Sequence, residues 1–436
     1  MSNGLCEPGH LWHPYSDIDK MEGRSFPAMA SAGGVRLIDD SGKEYLDGIS
    51  SWWCVNLGHG HPRIVNAIVQ QARTLQHSII GGMSHAMADK AAERLAGVTP
   101  EGLERVYLAS DGASAVEAAV RMALQYWWNT GRPEKKTIIS IEGGYHGDTL
   151  GAVGLGFVPR FHQPVAHVVN RSPQAPSPHC FHCKYGLRPE SCGTRCFQGM
   201  EMLVRENSST TAAVIAEPLC QGASGIRIYP AEYVRRLRDL CTEEGVLLIL
   251  DEIAVGFGRT GELFASDLAG ISPDILILGK SLTGGYLPMS AAVVTGEIYD
   301  SFRSTPEMDR TFYHGHTFAG NPIAAAAACE ALSIFSESGV PEVPVEFRKA
   351  FSDMEGIDGV HRTAALGWMG TLEIEASAGG GETAARAASI ALSEGLLVRP
   401  LGPVLYLWPP LVSTSEDISL MTGIFAGAVK KALEER

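Results

Sequence analysis

The chain has 436 residues, with 35 basic against 49 acidic side chains for a formal charge of −14, and is 45% hydrophobic and 19% charged. That balance belongs to a folded protein long enough for more than one packed unit, and its acidic excess argues against a surface that tracks nucleic-acid phosphates. No run of about 18 apolar residues is available to cross a bilayer, and residues 1–15 lack the apolar core of a signal peptide. The expected setting is therefore a reduced cytoplasm. The nine cysteines form an odd set that fits poorly with a fully paired disulfide framework.

In chain order, residues 1–60 read as mixed α+β material. Arg105-Val-Tyr-Leu108 predicts a short strand, Ser110-Asp-Gly-Ala113 a turn, and the alanine-rich stretch from about Ser114 to Trp128 a helix. Thr137-Ile-Ile-Ser-Ile141 is the next strand, followed by a glycine-rich segment from Glu142 to Asp148. Ala212-Ala-Val-Ile-Ala216, Val246-Leu-Leu-Ile-Leu250 and Ile275-Leu-Ile-Leu278 are short apolar runs of the kind buried in parallel sheets. Strands alternating with helical patterns indicate βαβ units. A helical Ala324-Ala-Ala-Ala-Ala328 stretch opens a C-terminal α+β part. The expected division is an N-terminal segment 1–60, a large α/β unit 61–321 and a C-terminal part 322–436, with both termini building one small domain. One compositional break interrupts the large unit. Residues 171–196 are rich in Pro, His and Cys and show neither periodicity, so they read as an excursion from the core.

Functional groups in open α/β sheets collect at the carboxyl ends of strands. The run Val246 to Leu250 delivers Asp251, and Ile275 to Leu278 delivers Gly279-Lys280. A lysine after an apolar strand is partly desolvated, which lowers its pKa and frees a neutral amine. Either residue alone has a plainer explanation, an edge charge or a turn former. Together they match what pyridoxal phosphate needs: an amine for its aldehyde and a carboxylate to keep its ring nitrogen protonated. Ser110-Asp-Gly-Ala-Ser114, between strand and helix, adds backbone N–H groups at a positive helix end where a phosphate can bind.

These residues sit in longer blocks: Leu11-Trp-His-Pro-Tyr15, Asp47-Gly-Ile-Ser-Ser-Trp-Trp53, Gly58-His-Gly-His-Pro62, Gly143-Gly-Tyr-His-Gly-Asp-Thr149, Asp251 to Gly261, His314 to Pro322 and Val398-Arg-Pro400. In them the chain resembles the class III, fold type I aminotransferases over nearly its whole length, and within them the branch that works in biotin synthesis. The resemblance implies a large, mostly parallel α/β domain plus a small α+β domain, pyridoxal phosphate as cofactor, small-molecule substrates and a homodimer with shared active sites. By position, Lys280 resembles the lysine that bonds the cofactor and shuttles protons, Asp251 the partner of the ring nitrogen, and Tyr145 the residue stacked on the ring. Gly112 and Ala113 would give backbone contacts to the phosphate, and His316 with Thr317 a contact reaching across from the second subunit. Tyr15, Trp52, Gly315 and Arg399 fall on substrate-recognition positions. Two residues depart from the pattern: Ala113 stands where a hydroxyl is common, and His316 where proline or glutamine is. The implied reaction converts 8-amino-7-oxononanoate to 7,8-diaminononanoate with S-adenosylmethionine as donor. Lysine or another terminal amine as donor, and a metal- or redox-sensing protein without catalysis, are the alternatives.

The excursion carries Cys180-Phe-His-Cys183 and Cys192-Gly-Thr-Arg-Cys196, a C-x2-C-x8-C-x3-C pattern with His179 and His182 alongside. Four thiolates so spaced suit one zinc ion or an iron–sulfur cluster, and spacing does not separate the two. Free surface thiols are the plainer alternative. Cys6, Cys54, Cys220, Cys241 and Cys329 are scattered and read as small apolar filler.

Overall fold

The structure is a computed structural model that describes residues 5–6, 10–21 and 26–435. At its centre lies a seven-stranded sheet. Gln174–Ala175, Thr137–Ile141, Thr211–Ala216, Leu247–Asp251 and Ile275–Leu278 run parallel in that order, and Ser290–Thr295 and Leu103–Ala109 complete it. Ser290–Thr295 is antiparallel to both of its neighbours. The parallel strands Thr211–Ala216, Leu247–Asp251 and Ile275–Leu278 are buried at every residue. A sheet covered by helices on both faces demands apolar side chains on both, which is why these runs show no alternation.

Three features differ from the sequence expectation. The helix begins at Gly112, not Ser114, because the Asp111 side chain accepts from Ser114 N at 3.0 Å and draws Gly112 and Ala113 into its first turn. The antiparallel strand Ser290–Thr295 was not anticipated. No helix crosses the sheet after Ile275–Leu278; a short turn, Lys280–Thr283, and two glycines at positive φ send the chain straight back. The excursion also opens with a strand, Gln174–Ala175, paired to Ser140 and Ile141; beyond it residues 176–194 hold no helix or strand.

The two ends of the chain meet in a second sheet, where Leu396–Leu397 pairs in parallel with Glu44–Asp47, followed by Arg36–Asp39 and Met29–Gly33. A three-stranded antiparallel sheet of Val360–Leu366, Met369–Ile374 and Val404–Leu407 lies in the C-terminal part, with helices Gly380–Ser393 and Ser415–Glu434. Among the described residues no helix is long and apolar enough to cross a membrane.

One buried cation joins the sheet core to both ends. Arg259, fully buried in the loop after Asp251, donates to the carbonyls of Trp368 (3.1 Å) and Pro409 (2.7 Å), to Ser50 Oγ (3.2 Å) and to Asn56 Oδ1 (2.5 Å). Arg259→Met leaves these buried acceptors without donors and is expected to lower stability by about 3 kcal/mol. An unchanged urea midpoint would show that the tie is not structural.

Candidate active site

The strand ends converge on a cleft of about 470 Å³ whose walls include Gly112, Ala113, Tyr145, Glu217, Asp251 and Lys280. Asp251 is the last residue of its strand and Glu217 follows Thr211–Ala216, while Gly112 and Ala113 open an 18-residue helix that follows Leu103–Ala109. Of the seven cofactor and catalytic positions expected from the sequence, five meet here: Gly112, Ala113, Tyr145, Asp251 and Lys280.

Charge in the cleft is tightly coupled. Asp251 Oδ2 lies 2.8 Å from His146 Nδ1, both side chains buried, and Asp251 Oδ1 accepts from Ile253 N at 3.1 Å. Burial alone would lower the His146 pKa, but the hydrogen bond and charge of Asp251 raise it. Burial lowers the pKa of Lys280, against the opposing pull of Asp251, Glu217 and Cys54. The same burial pushes the Glu217 carboxyl up to about 7, moderated by His146 and by hydrogen bonds from the backbone N–H groups of Tyr145 and Gly222. Lys280 sits at φ 43°, in the left-handed region, with Nζ 5.2 Å from the centre of the Trp53 ring. A strained backbone held at a reactive side chain is common where position matters more than relaxation.

A second cavity, about 760 Å³, opens from the first and shares Lys280, Tyr145 and Trp53 with it. Tyr15, Trp52 and Arg399 are brought together on its wall: the Arg399 guanidinium lies 4.1 Å from the Trp52 ring centre and 5.7 Å from that of Tyr15. Tyr15 and Tyr145 both donate to Asp148 Oδ2, at 2.8 and 2.9 Å. Trp52 and Trp53 lie in a turn in which Ser50, Ser51, Trp52 and Trp53 all have positive φ. Asp47 holds that turn, accepting from Ser51 N (2.9 Å) and Ser51 Oγ (2.7 Å). The turn separates the two indoles. Trp52 faces the cavity, 40% exposed, while Trp53 is buried, stacked on Trp408 and donating to Tyr406 Oη at 3.2 Å.

Gly315, His316 and Thr317 are not brought into either cavity. They are exposed, on a segment anchored where Tyr107 Oη donates to the His314 carbonyl at 3.0 Å. Sequence reasoning gave no role to Glu217, His146 or Asp148. Glu217 follows an apolar strand and was open to the strand-end argument; the other two stood inside the Gly143–Thr149 block, and nothing in their spacing shows which atom each would touch.

Cys180, Cys183, Cys192 and Cys196 all line one cavity, and Thr194 N donates to Cys192 Sγ at 3.3 Å. Burial pushes the Cys180 thiol up to about 12. Among the described residues, the metal-capable atoms that lie within 4.8 Å of one another belong to a different trio, His182, His361 and Glu373. There His182 Nε2 meets Glu373 Oε1 at 2.8 Å and fastens the loop to the sheet of the C-terminal part. Cys220, Cys241 and Cys329 are buried and Cys54 partly so; the Cys6 side chain lies outside the described part.

A mostly parallel sheet with lysine, aspartate and a helix N-terminus at its carboxyl edge defines the fold of the pyridoxal-phosphate transferases of type I. The chain belongs to the class III aminotransferases, whose sequence profile matches residues 19–429. It is 37% identical over 442 residues to an adenosylmethionine-8-amino-7-oxononanoate aminotransferase of Nitratidesulfovibrio vulgaris, covering 97% of this chain and 80% of that one. The crystal structure of the enzyme of that name from Methanocaldococcus jannaschii superposes with a TM-score of 0.89 at 33% identity, over 97% of each chain. An omega transaminase from Pseudomonas jessenii in complex with PMP gives 0.91 at 26% identity, over 98% of this chain and 97% of that one.

Pyridoxal phosphate is the cofactor of this family, and the residues present suit it. The backbone at Gly147 passes so close to Ala113 that an added Cβ would lie 2.5 Å from the Ala113 Cβ, which keeps the cradle beside the helix N-terminus narrow. Asp251 offers a carboxylate and Lys280 an amine to the same cleft. Glu217 gives this charge cluster a measurable pH signature. With its carboxyl raised from 4.5 to about 7, the folded state holds the proton more tightly than the unfolded chain. Its contribution is full below pH 4.5 and is lost as pH rises towards 7, on the order of 3 kcal/mol. Glu217→Gln should flatten that part of the stability profile of the cofactor-free protein in urea; an unaltered slope would mean that Glu217 titrates normally.

Proposed function

We propose that the protein transfers an amino group from S-adenosylmethionine to 8-amino-7-oxononanoate, giving 7,8-diaminononanoate for biotin synthesis. The observation that carries this reading is the pocket of Tyr15, Trp52 and Arg399 opening onto Lys280, in a chain whose relatives bear a name that joins those two substrates. Bound pyridoxal phosphate supplies the carbonyl that accepts the amino group and a ring that stores negative charge. The N–H groups of Gly112 and Ala113 would hold its phosphate, Asp251 its ring N–H and Tyr145 the ring face. Lys280 Nζ takes and returns the proton at the substrate carbon that bears the nitrogen, a task suited to an amine whose pKa burial has lowered. Arg399 forks onto the carboxylate of the keto acid, with the ring of Trp52 beneath it.

The same reading makes the enzyme a cytoplasmic homodimer. His316 and Thr317 serve the phosphate of a second copy, which accounts for their exposure beside the exposed rings of Tyr313 and Phe318. Gly315, on the same exposed segment, completes the substrate site across that interface. The small domain is built from residues 1–60 and 322–436, and the shared sheet of Leu396–Leu397 and Glu44–Asp47 supports that division. The loop cysteines 180, 183, 192 and 196 would hold a structural zinc ion or an iron–sulfur cluster apart from the transamination by closing across the cavity they share, since their thiols do not converge as the His182, His361 and Glu373 atoms do. Protein purified without zinc, iron or sulfide would refute the metal site.

Borohydride treatment of the holoenzyme should fix the cofactor on the peptide containing Lys280, and Lys280→Ala should abolish that mass increment; label on another lysine would overturn the central assignment. The decisive assay presents the keto acid with S-adenosylmethionine and with lysine side by side. Diamine formed with the former supports the donor proposed. Diamine formed only with lysine or another terminal amine favours the second reading, an ω-aminotransferase, to which the Pseudomonas jessenii likeness also points.

A further inference from the structure

Three arginines line the outer cavity: Arg160, Arg227 and Arg399. Arg160 is exposed, where water solvates it. Arg399 lies on Trp52 and Tyr15, at the outer side where those rings are 40% and 48% exposed. Arg227 differs from both. Its Nε is buried and has no hydrogen-bond partner, and among the described residues no carboxylate comes within ion-pair distance of it. One of its terminal nitrogens donates to Ser177 Oγ at 3.3 Å. Of the carboxylates around it, Glu217 accepts from Tyr145 N and Gly222 N and Glu373 meets His182, while Glu142 is exposed and beyond ion-pair distance. A partly buried guanidinium with no carboxylate partner, on the wall of a substrate cavity, is set to receive an anion from solution.

The two substrates carry their carboxylates at different reach. In an amino-acid donor the carboxylate is attached to the carbon that bears the reacting nitrogen. In the keto acid it lies at the far end of an aliphatic chain. One cation cannot meet both while the reacting carbons occupy the same point beside Lys280. Arg227 stands against the cofactor-side loop: its guanidinium packs on Gly143, where an added Cβ would come within 2.7 Å of it, two residues before Tyr145 of the cofactor cleft. We propose that Arg227 is a second carboxylate-binding residue, taking the α-carboxylate of the amino donor, while Arg399 at the outer side takes the carboxylate of the keto acid. This rests on the aminotransferase reading with those two substrates.

The two half-reactions separate the roles. The holoenzyme, its Arg227→Gln and its Arg399→Gln variants are mixed in single turnovers with S-adenosylmethionine, and their amino forms with 8-amino-7-oxononanoate, following the cofactor absorbance. Arg227→Gln should raise the donor concentration needed for half-maximal rate on the order of tenfold or more while leaving the keto-acid dependence unchanged, and Arg399→Gln should do the reverse. The donor's carboxamide provides a control that needs no intact variant. Wild type should use it on the order of tenfold less well than the acid, and Arg227→Gln should erase that preference. A variant that impairs both half-reactions equally, or that keeps the acid-over-amide preference, would overturn the proposal. Wild type that shows no absorbance change with any amino donor would instead overturn the transaminase reading itself. Should Arg227→Gln fail to fold, a wild type indifferent to acid or amide refutes the proposal, and one that prefers the acid supports it, with Arg227→Lys expected to restore part of the preference.

Discussion

Lys280, Asp251, His146 and Glu217 crowd one cleft at the carboxyl edge of a buried parallel sheet, where the charge of each bears on its neighbours. Desolvation lowers the lysine and raises Glu217, while Asp251, 2.8 Å from His146, raises the pKa of that imidazole. An amine with a lowered pKa and a carboxylate with a fixed proton donor behind it are what amino-group chemistry at neutral pH requires. The sheet makes this possible because parallel strands covered on both faces must be apolar along their length, so polarity is confined to their ends.

The outer wall depends on a second constraint. Trp52 faces the outer cavity because four consecutive non-glycine residues, Ser50 to Trp53, are held at positive φ. Each such residue costs on the order of 1 kcal/mol or more, and the surroundings must offset it. Asp47 gathers the N–H and hydroxyl of Ser51, Ser50 Oγ donates to the Trp408 carbonyl at 2.7 Å, and Arg259 binds Ser50 from below. Arg259 also reaches Trp368 and Pro409, so a turn near the N-terminus, the loop after Asp251 and two C-terminal segments share one node. Packing between the two ends of the chain thus sets where the aromatic wall stands relative to Lys280.

Arg227 links this site to the cysteine loop, since it lines the outer cavity and the thiol cavity alike. Ser177, in the residues that lead into the loop, donates to Gln221 and accepts from Arg227. The loop that looked least related to the chemistry by composition therefore forms part of the support for a residue of the outer cavity wall. His182 on Glu373 closes that support against the sheet of the C-terminal part.

The sequence by itself determined the buried strands, because apolar runs ending in Asp251 and Gly279-Lys280 leave few ways to satisfy both the core and the charges. It also determined which residue types would hold a phosphate, a ring nitrogen and an aldehyde, since that chemistry is local to short blocks. The sequence did not reveal the return of Ser290–Thr295 as an antiparallel strand, the separation of Trp52 from Trp53, or the parts taken by Glu217, His146 and Asp148. Those depend on which segments become neighbours across more than a hundred residues, as with Asp251 and His146. Side-chain hydrogen bonds and desolvation are properties of that proximity, and no spacing along one strand or turn encodes them. The cavity that gathers four cysteines with Arg227, and the buried Nε of Arg227 without a partner, were decided only by the tertiary structure for the same reason.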